Sequence, residues 1–95
     1  MTMILDLSLH NDTLYAGLDI ANDAGKLNLR TPPESAIPVI TANLEKTPVD
    51  SDEVVLTGGM AIWAYLVVFH FLHGKTRRIY YEDGLGNRVL VAAHG

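Results

Sequence analysis

Apolar and polar positions alternate with period two along "MILDLSL", residues 3 to 9, and again along "TLYAGLDI", residues 13 to 20, with the turn formers "HND" between them. That pattern predicts an opening β-hairpin. The next segment, "ANDAGKLNLRTPP", reads as turn-rich and ends in a proline pair, with Pro33 suited to the first turn of a helix. The helix is expected over "ESAIPVITANLEK", although Pro38 and the β-branched residues weaken it. "TPVDSD" is a linker and "EVVLT" a short buried strand.

Gly58 to Gly74, "GGMAIWAYLVVFHFLHG", is apolar almost all round, preceded by Thr57 and closed by Gly74 as a C-cap. A helix from Met60 to His73 would be roughly 21 Å long, too short for a bilayer core of about 30 Å. It is therefore a core helix, expected to be covered partly by a second subunit. "TRRIYYE" and "NRVLVAAH" read as two strands joined by the tight turn "DGLGN". The order β-β-α-β-α-β-β predicts one α+β domain over residues 1 to 95, a mixed sheet with two helices on one face.

Composition narrows the chemistry. The 95 residues are enough for one core and too few for a cleft between two lobes, so a site shared between subunits is expected. Cysteine is absent, which excludes disulfides, thiolate zinc sites and cysteine nucleophiles. No basic leader precedes Asp6, and a cytoplasmic location is the expectation. The formal charge of −4 argues against general affinity for nucleic acid, but it conceals a polarity. Before residue 70 the acids outnumber Lys26, Arg30 and Lys46; after it, Lys75, Arg77, Arg78 and Arg88 outnumber Glu82 and Asp83. An anion would be drawn to that C-terminal part, although cations beside a strand also serve as edge protection.

Three constellations could carry chemistry. Thr57-Gly58-Gly59, between a strand and a helix, would offer a phosphate a hydroxyl, close backbone approach and a helix N-terminus, and the same residues also suit a plain turn. His70 and His73 share a helical face, where they could chelate a metal or serve one substrate. His70 reads better as a buried, hydrogen-bonded core residue, and His73, beside the cap and the cations, as the functional one. Glu82 and Asp83 stand at a hairpin mouth with Arg88 across it, able to hold a divalent cation or to orient a phosphate. His94, emerging from the last strand, is expected at that same rim.

The segments "VVLTGGMAIWAYLVVFHFLHG" and "IYYEDGLGNRVLVAAH" resemble the third family of CRISPR-associated ring nucleases, whose pattern runs V-V-I-S-G-R-x-P-I-W, H-x-x-H, Y-D-P-R-L-G and S-H. Thr57, Gly58, Ile62-Trp63, His70, His73, Tyr81, Leu85-Gly86 and His94 match it. Gly59, Ala61, Glu82 and Gly84 stand where the pattern has Arg, Pro, Asp and Arg. The resemblance implies binding and cleavage of cyclic oligoadenylate, typically the four-membered ring. The ribose 2′-hydroxyl attacks its own phosphodiester, and the result is to switch off type III CRISPR signalling. It implies a homodimer, or a tetramer or larger assembly, sandwiching the ligand, and a divalent metal, usually Mn2+. Carried onto this sequence, His73, Glu82, Arg88 and His94 become catalytic, Thr57, Gly58, Gly59, Lys75 and Arg78 bind the ligand, and Glu82 and Asp83 hold the metal. Gly84 in place of the motif Arg keeps a non-catalytic sensor open as an alternative, and a small dimeric interaction module is a further one.

Overall fold

A computed structural model describes residues 1–50 and 52–94. The elements are β1 (Thr2–Asp6), β2 (Ile20–Asp23), β3 (Lys26–Leu29), α1 (Pro33–Glu45), β4 (Glu53–Thr57), α2 (Ile62–Leu72), β5 (Arg78–Glu82) and β6 (Arg88–Ala93). Four strands form one sheet in the order β1-β4-β5-β6, and β2 and β3 form a separate hairpin. β1, β4 and β5 are mutually parallel, and β6 returns antiparallel to β5. Parallel neighbours need a long crossover, and α1 and α2 supply the two. The fold is the expected α+β arrangement with a mixed sheet, and it carries an additional strand ahead of the first helix.

The opening hairpin is where sequence and structure part. β1 forms as expected, but it pairs in parallel with β4, Met3 beside Val54 and Leu5 beside Leu56. "TLYAGLDI" is turn up to Leu18, and it buries the consecutive Leu14 and Tyr15 instead of alternate residues. The hairpin is made instead by the segment read as a turn-rich connection. Ala24 at φ 52° and Gly25 at φ 85° close it, the left-handed pair that a tight two-residue turn requires.

The core lies between one face of the four-stranded sheet and both helices. α1 contributes Ala36, Ile40 and Leu44, spaced four apart, and α2 contributes Val68 and Leu72 against Leu5, Val54, Leu56 and Ile79. Burying each such Val, Leu or Ile side chain is worth about 1.5–3 kcal/mol. Pro33 at the start of α1 forfeits no intrahelical bond, and Pro38 sits on the exposed side, where water can satisfy the carbonyl it leaves free. α2 is shorter than expected at its front, because Ala61 is extended and the helix begins at Ile62. At its end Gly74 adopts φ 91°, as the cap predicted. No helix among the described residues is long and apolar enough to cross a membrane.

Tyr15 ties the irregular segment to this core. It is 2% exposed, and its hydroxyl donates to the Leu7 carbonyl. Burial pushes its phenol well above the ordinary tyrosine range, assisted by the Asp6 carboxylate and the Tyr65 phenol. The neutral form is therefore favoured in the fold, so its contribution is whole below the unfolded value near 10 and declines above it. Tyr15→Phe is expected to cost about 1–3 kcal/mol at pH 7 by orphaning the Leu7 carbonyl. In urea unfolding measured from pH 7 to 11, wild type should lose more of its stability above about pH 10 than Tyr15→Phe does.

Candidate functional site

Parallel strands end on one side of the sheet, and their last residues form a rim: Asp6 beside Thr57 in register, with Glu82 next along. Thr57 is not a free donor there, since its hydroxyl bonds the Glu82 carbonyl at 3.0 Å while its own carbonyl accepts from the Leu7 N–H at 2.7 Å. Gly58 follows at φ 102°. A Cβ on it would lie 2.2 Å from Asp6 Oδ1 and 2.8 Å from the Ser8 nitrogen. The Gly58 carbonyl accepts from the Tyr65 hydroxyl of α2. Gly58 is therefore the point at which β4 passes the turn after β1, and its freedom of approach is used by protein.

Gly59 is the open glycine of the pair. It is exposed, and a Cβ there would meet nothing within 4 Å. It borders a surface cavity of about 390 Å³ between Ser8–His10 and the β2–β3 hairpin at Gly25–Leu27, with His10 and Lys26 in its lining. A second cavity of about 320 Å³ continues past Gly59 along the start of α2 to Trp63. Together they make a groove at an uncapped helix N-terminus with a cation on its wall, a geometry able to take an anionic ligand. Lys26 and His10 were not singled out from the sequence. The signal for them was "NDAGK", which places Lys26 directly after a hairpin turn, but nothing local says that this hairpin folds back over Gly59.

The β5–β6 turn also borders the rim. Asp83 accepts from the backbone of Leu85 and Asn87 and from the Asn87 amide, at 2.9 to 3.1 Å. These bonds, the Asn87 backbone N–H foremost, hold its carboxyl below the usual range. Glu82 Oε1 receives both the Arg88 Nε, at 3.2 Å, and an Arg88 terminal nitrogen, at 3.0 Å. Arg88 thus stands across from Glu82, as the sequence suggested, in a partly exposed ion pair worth at most about 1 kcal/mol. Gly84 projects no side chain at the motif position. The Glu82 and Asp83 carboxylates, expected to hold a metal, are engaged with the hairpin's own donors. Among the described residues no group of three or more His, Asp or Glu side chains converges as metal ligands do.

The histidines lie elsewhere. Because β6 runs antiparallel, Arg88 pairs with Glu82 while Ala93 pairs with Arg78. That register carries His94 to the opposite end of β5, roughly 15 Å from the rim at about 3.3 Å per strand residue. The expectation that His94 joins Glu82 is overturned. His94 instead meets His73 at the end of α2, with the two Nε2 atoms 2.8 Å apart and the rings near perpendicular. The Phe69 ring flanks His73 at 5.6 Å. His70 is corrected as well: it is exposed, lining a groove between α1 and α2. Ala64, Val68 and Leu72 face the sheet, and a residue two places past Val68 must point about 200° away from it. His73 leaves the helix with extended backbone and turns to His94, so its ring is paired there and not with His70.

The other two candidate cations, Lys75 and Arg78, sit at the histidine end. Lys75 Nζ lies 4.5 Å above the Phe71 ring, and Arg78 is 3.4 Å from Glu53. Bonds from Thr2 first, then Tyr80, and the Arg78 charge hold the Glu53 carboxyl below its usual range. The candidate residues thus form two groups, Thr57, Gly58, Gly59, Glu82, Asp83 and Arg88 at one end, and His73, Lys75, Arg78 and His94 at the other. No protein-family model, curated protein or solved structure matches the chain.

The two glycines can be told apart by substitution. Gly58→Ala places a side chain against Asp6 and Ser8 at a positive φ and should destabilise the fold by at least about 2 kcal/mol. Gly59→Ala should change stability by less than about 0.5 kcal/mol. Paired denaturation curves read both values.

Proposed function

We propose that this chain binds cyclic oligoadenylate, with cyclic tetra-adenylate the favoured ring, between copies of itself, and cleaves it through the ligand's own 2′-hydroxyl. The observation that carries the reading is the open groove at Gly59, where an unobstructed backbone, an uncapped helix N-terminus and Lys26 adjoin one another. A phosphodiester fits such a place by charge and by size. The separation of the histidines from the rim is compatible with the resemblance only if one copy's histidine end meets another copy's rim. In-line attack needs orientation, charge stabilisation and proton transfer, and the second copy's His73 and His94 would supply the proton chemistry. On this reading the protein acts in the cytoplasm, where the ligand is made.

A sensor that binds without cleaving is favoured by one specific observation: Thr57, Glu82, Asp83 and Arg88 are each satisfied by bonds within the chain, and Gly84 has no side chain to offer. Incubation of the protein with labelled cyclic tetra-adenylate, followed by separation of products, discriminates the readings. A linear product ending in a 2′,3′-cyclic phosphate supports the enzyme, an intact bound ring supports the sensor, and absence of binding removes both. Lys26→Ala should weaken binding by roughly tenfold, and raising the salt should weaken binding to wild type.

Assembly is the other half of the proposal. Ile62 and Leu66 on α2 are 78% and 63% exposed, and Tyr81, Val89 and Val91 beside them are also exposed. Leu66, Tyr81 and Val91 line a wholly apolar cavity between α2 and the edge strand β6. An uncovered apolar patch of this kind on a small domain suits a subunit contact. Light scattering at micromolar concentration should give a dimer or larger. Leu66→Glu should shift it to monomer with the thermal midpoint of the monomer little changed.

A further inference from the structure

The aromatic side chains of α2 are engaged with one exception. Tyr65 meets the Tyr81 ring at 5.5 Å, Phe69 lies against His73 at 5.6 Å, and Phe71 carries the Lys75 ammonium at 4.5 Å. Among the described residues no ring and no cation stacks on Trp63, the single tryptophan of the chain. Its indole is partly buried, packing on the core while also lining the cavity of about 320 Å³ at the start of α2. A large aromatic face is thus committed to the wall of an open slot.

The opposite walls are apolar as well, with Leu27, Leu29 and Pro33 among them. The polar side chains of the lining are Asn28 and Thr31, and each is turned to a partner in the fold. The Asn28 amide donates to Asp23 at 3.1 Å, and the Thr31 hydroxyl oxygen accepts the Asp19 N–H at 2.9 Å. The slot shares Leu9, Leu27 and Gly59 with the cavity that Lys26 and His10 line, so an apolar compartment adjoins an anion-attracting one without a break. A ligand that fills both is flat and weakly polar at one end and anionic at the other. A nucleotide has that form, a base with two π-faces joined through ribose to a phosphate.

We infer that Trp63 is the stacking platform for the base of a nucleotide whose phosphate sits at Gly59 and Lys26, and that the base is held by its face and not read by its edge. The inference rests on the reading of the Gly59 groove as a phosphate site, and it adds how the base is taken. Stacking on an aromatic side chain accepts any base, since every base has a π-face. Telling adenine from guanine requires donors and acceptors aimed at the base edge, and the two side chains of this slot able to supply them face Asp23 and the Asp19 backbone instead. Selection of one cyclic ligand over other nucleotides would then come from the spacing of its phosphates between copies, not from the base at Trp63.

The test uses the one tryptophan as its own reporter. AMP, GMP and ribose 5-phosphate are each titrated into the full chain at neutral pH while tryptophan fluorescence is followed. Calorimetry gives the affinities for wild type, Trp63→Phe, Trp63→Leu and Lys26→Ala, with circular dichroism confirming that each is folded. AMP and GMP should quench the tryptophan saturably with affinities within about fivefold of each other, and ribose 5-phosphate should bind at least about tenfold more weakly than AMP. Trp63→Leu should weaken AMP by about tenfold or more and leave ribose 5-phosphate unchanged, with Trp63→Phe restoring part of the loss. Lys26→Ala should weaken all three ligands. The wild-type titrations need no variant and decide the matter even where a Trp63 substitution does not fold. Absence of saturable quenching by AMP or GMP up to millimolar concentration, ribose 5-phosphate binding as tightly as AMP, wild-type affinity for AMP in Trp63→Leu, or AMP and GMP separated by more than about fivefold would overturn the inference. Cyclic tetra-adenylate bound with no change at Trp63 would also overturn it while leaving the ring-binding reading intact. Quenching by AMP and GMP without binding of the ring would uphold it and count only against that reading.

Discussion

β4 is flanked by parallel strands on both sides, and everything else in the fold is arranged around covering it. Val54, Val55 and Leu56 are all buried, Val54 and Leu56 under the helices and Val55 between Ile4 and Tyr80 in register on the other face. A strand in that position must be apolar without alternation and must leave the sheet sharply, because the turn after β1 lies directly in its way. Gly58 is how it leaves. With no side chain to clash with Asp6 and Ser8, the backbone turns at positive φ and enters α2 two residues later than hydropathy alone suggests.

That exit separates two properties that a glycine pair offers together in sequence. Gly58 is consumed by the packing of β4 against β1, and only Gly59 faces outward, under the β2–β3 hairpin. The hairpin is small and its strands pair only with each other, so its importance lies in walling one side of the groove. The chemistry on this rim is modest, because most of its polar groups already bond one another. An open backbone with a cation nearby can bind an anion.

The His73–His94 pair is at the far end because β6 is antiparallel to β5. Reversal at the Asp83–Asn87 turn returns the chain along the full length of the sheet, so residues near in sequence to Glu82 stay at the rim and His94 cannot. α2 runs alongside β6 in the same direction, which is why the end of one meets the end of the other and His73 finds His94. The apolar stripe between them, from Ile62 and Val89 toward Val91, follows from the same parallel course. One edge of the molecule therefore combines an uncovered apolar seam with a histidine pair at its end.

Local sequence determined the elements whose signals need no partner. α1 follows from Pro33 and the four-residue spacing of Ala36, Ile40 and Leu44; the end of α2 follows from Gly74; the last hairpin follows from Asp83 and Gly86, whose turn bonds are all within five residues. The candidate residues, too, were legible as types: a glycine pair, two acids and an arginine, and histidines beside cations. What tertiary structure alone decided was pairing. Alternation in β1 is the same for an antiparallel neighbour and a parallel one, and only the apolar run of β4, arriving some fifty residues later, selects the second. Whether His73 turns toward His70 or His94 likewise depends on the helix phase set by Val68 and Leu72 against the sheet, and on the direction of β6. Spacing along a chain reports which residues share a face of one element; which end of the molecule they occupy is a property of strand direction, and that is fixed by contacts distant in sequence.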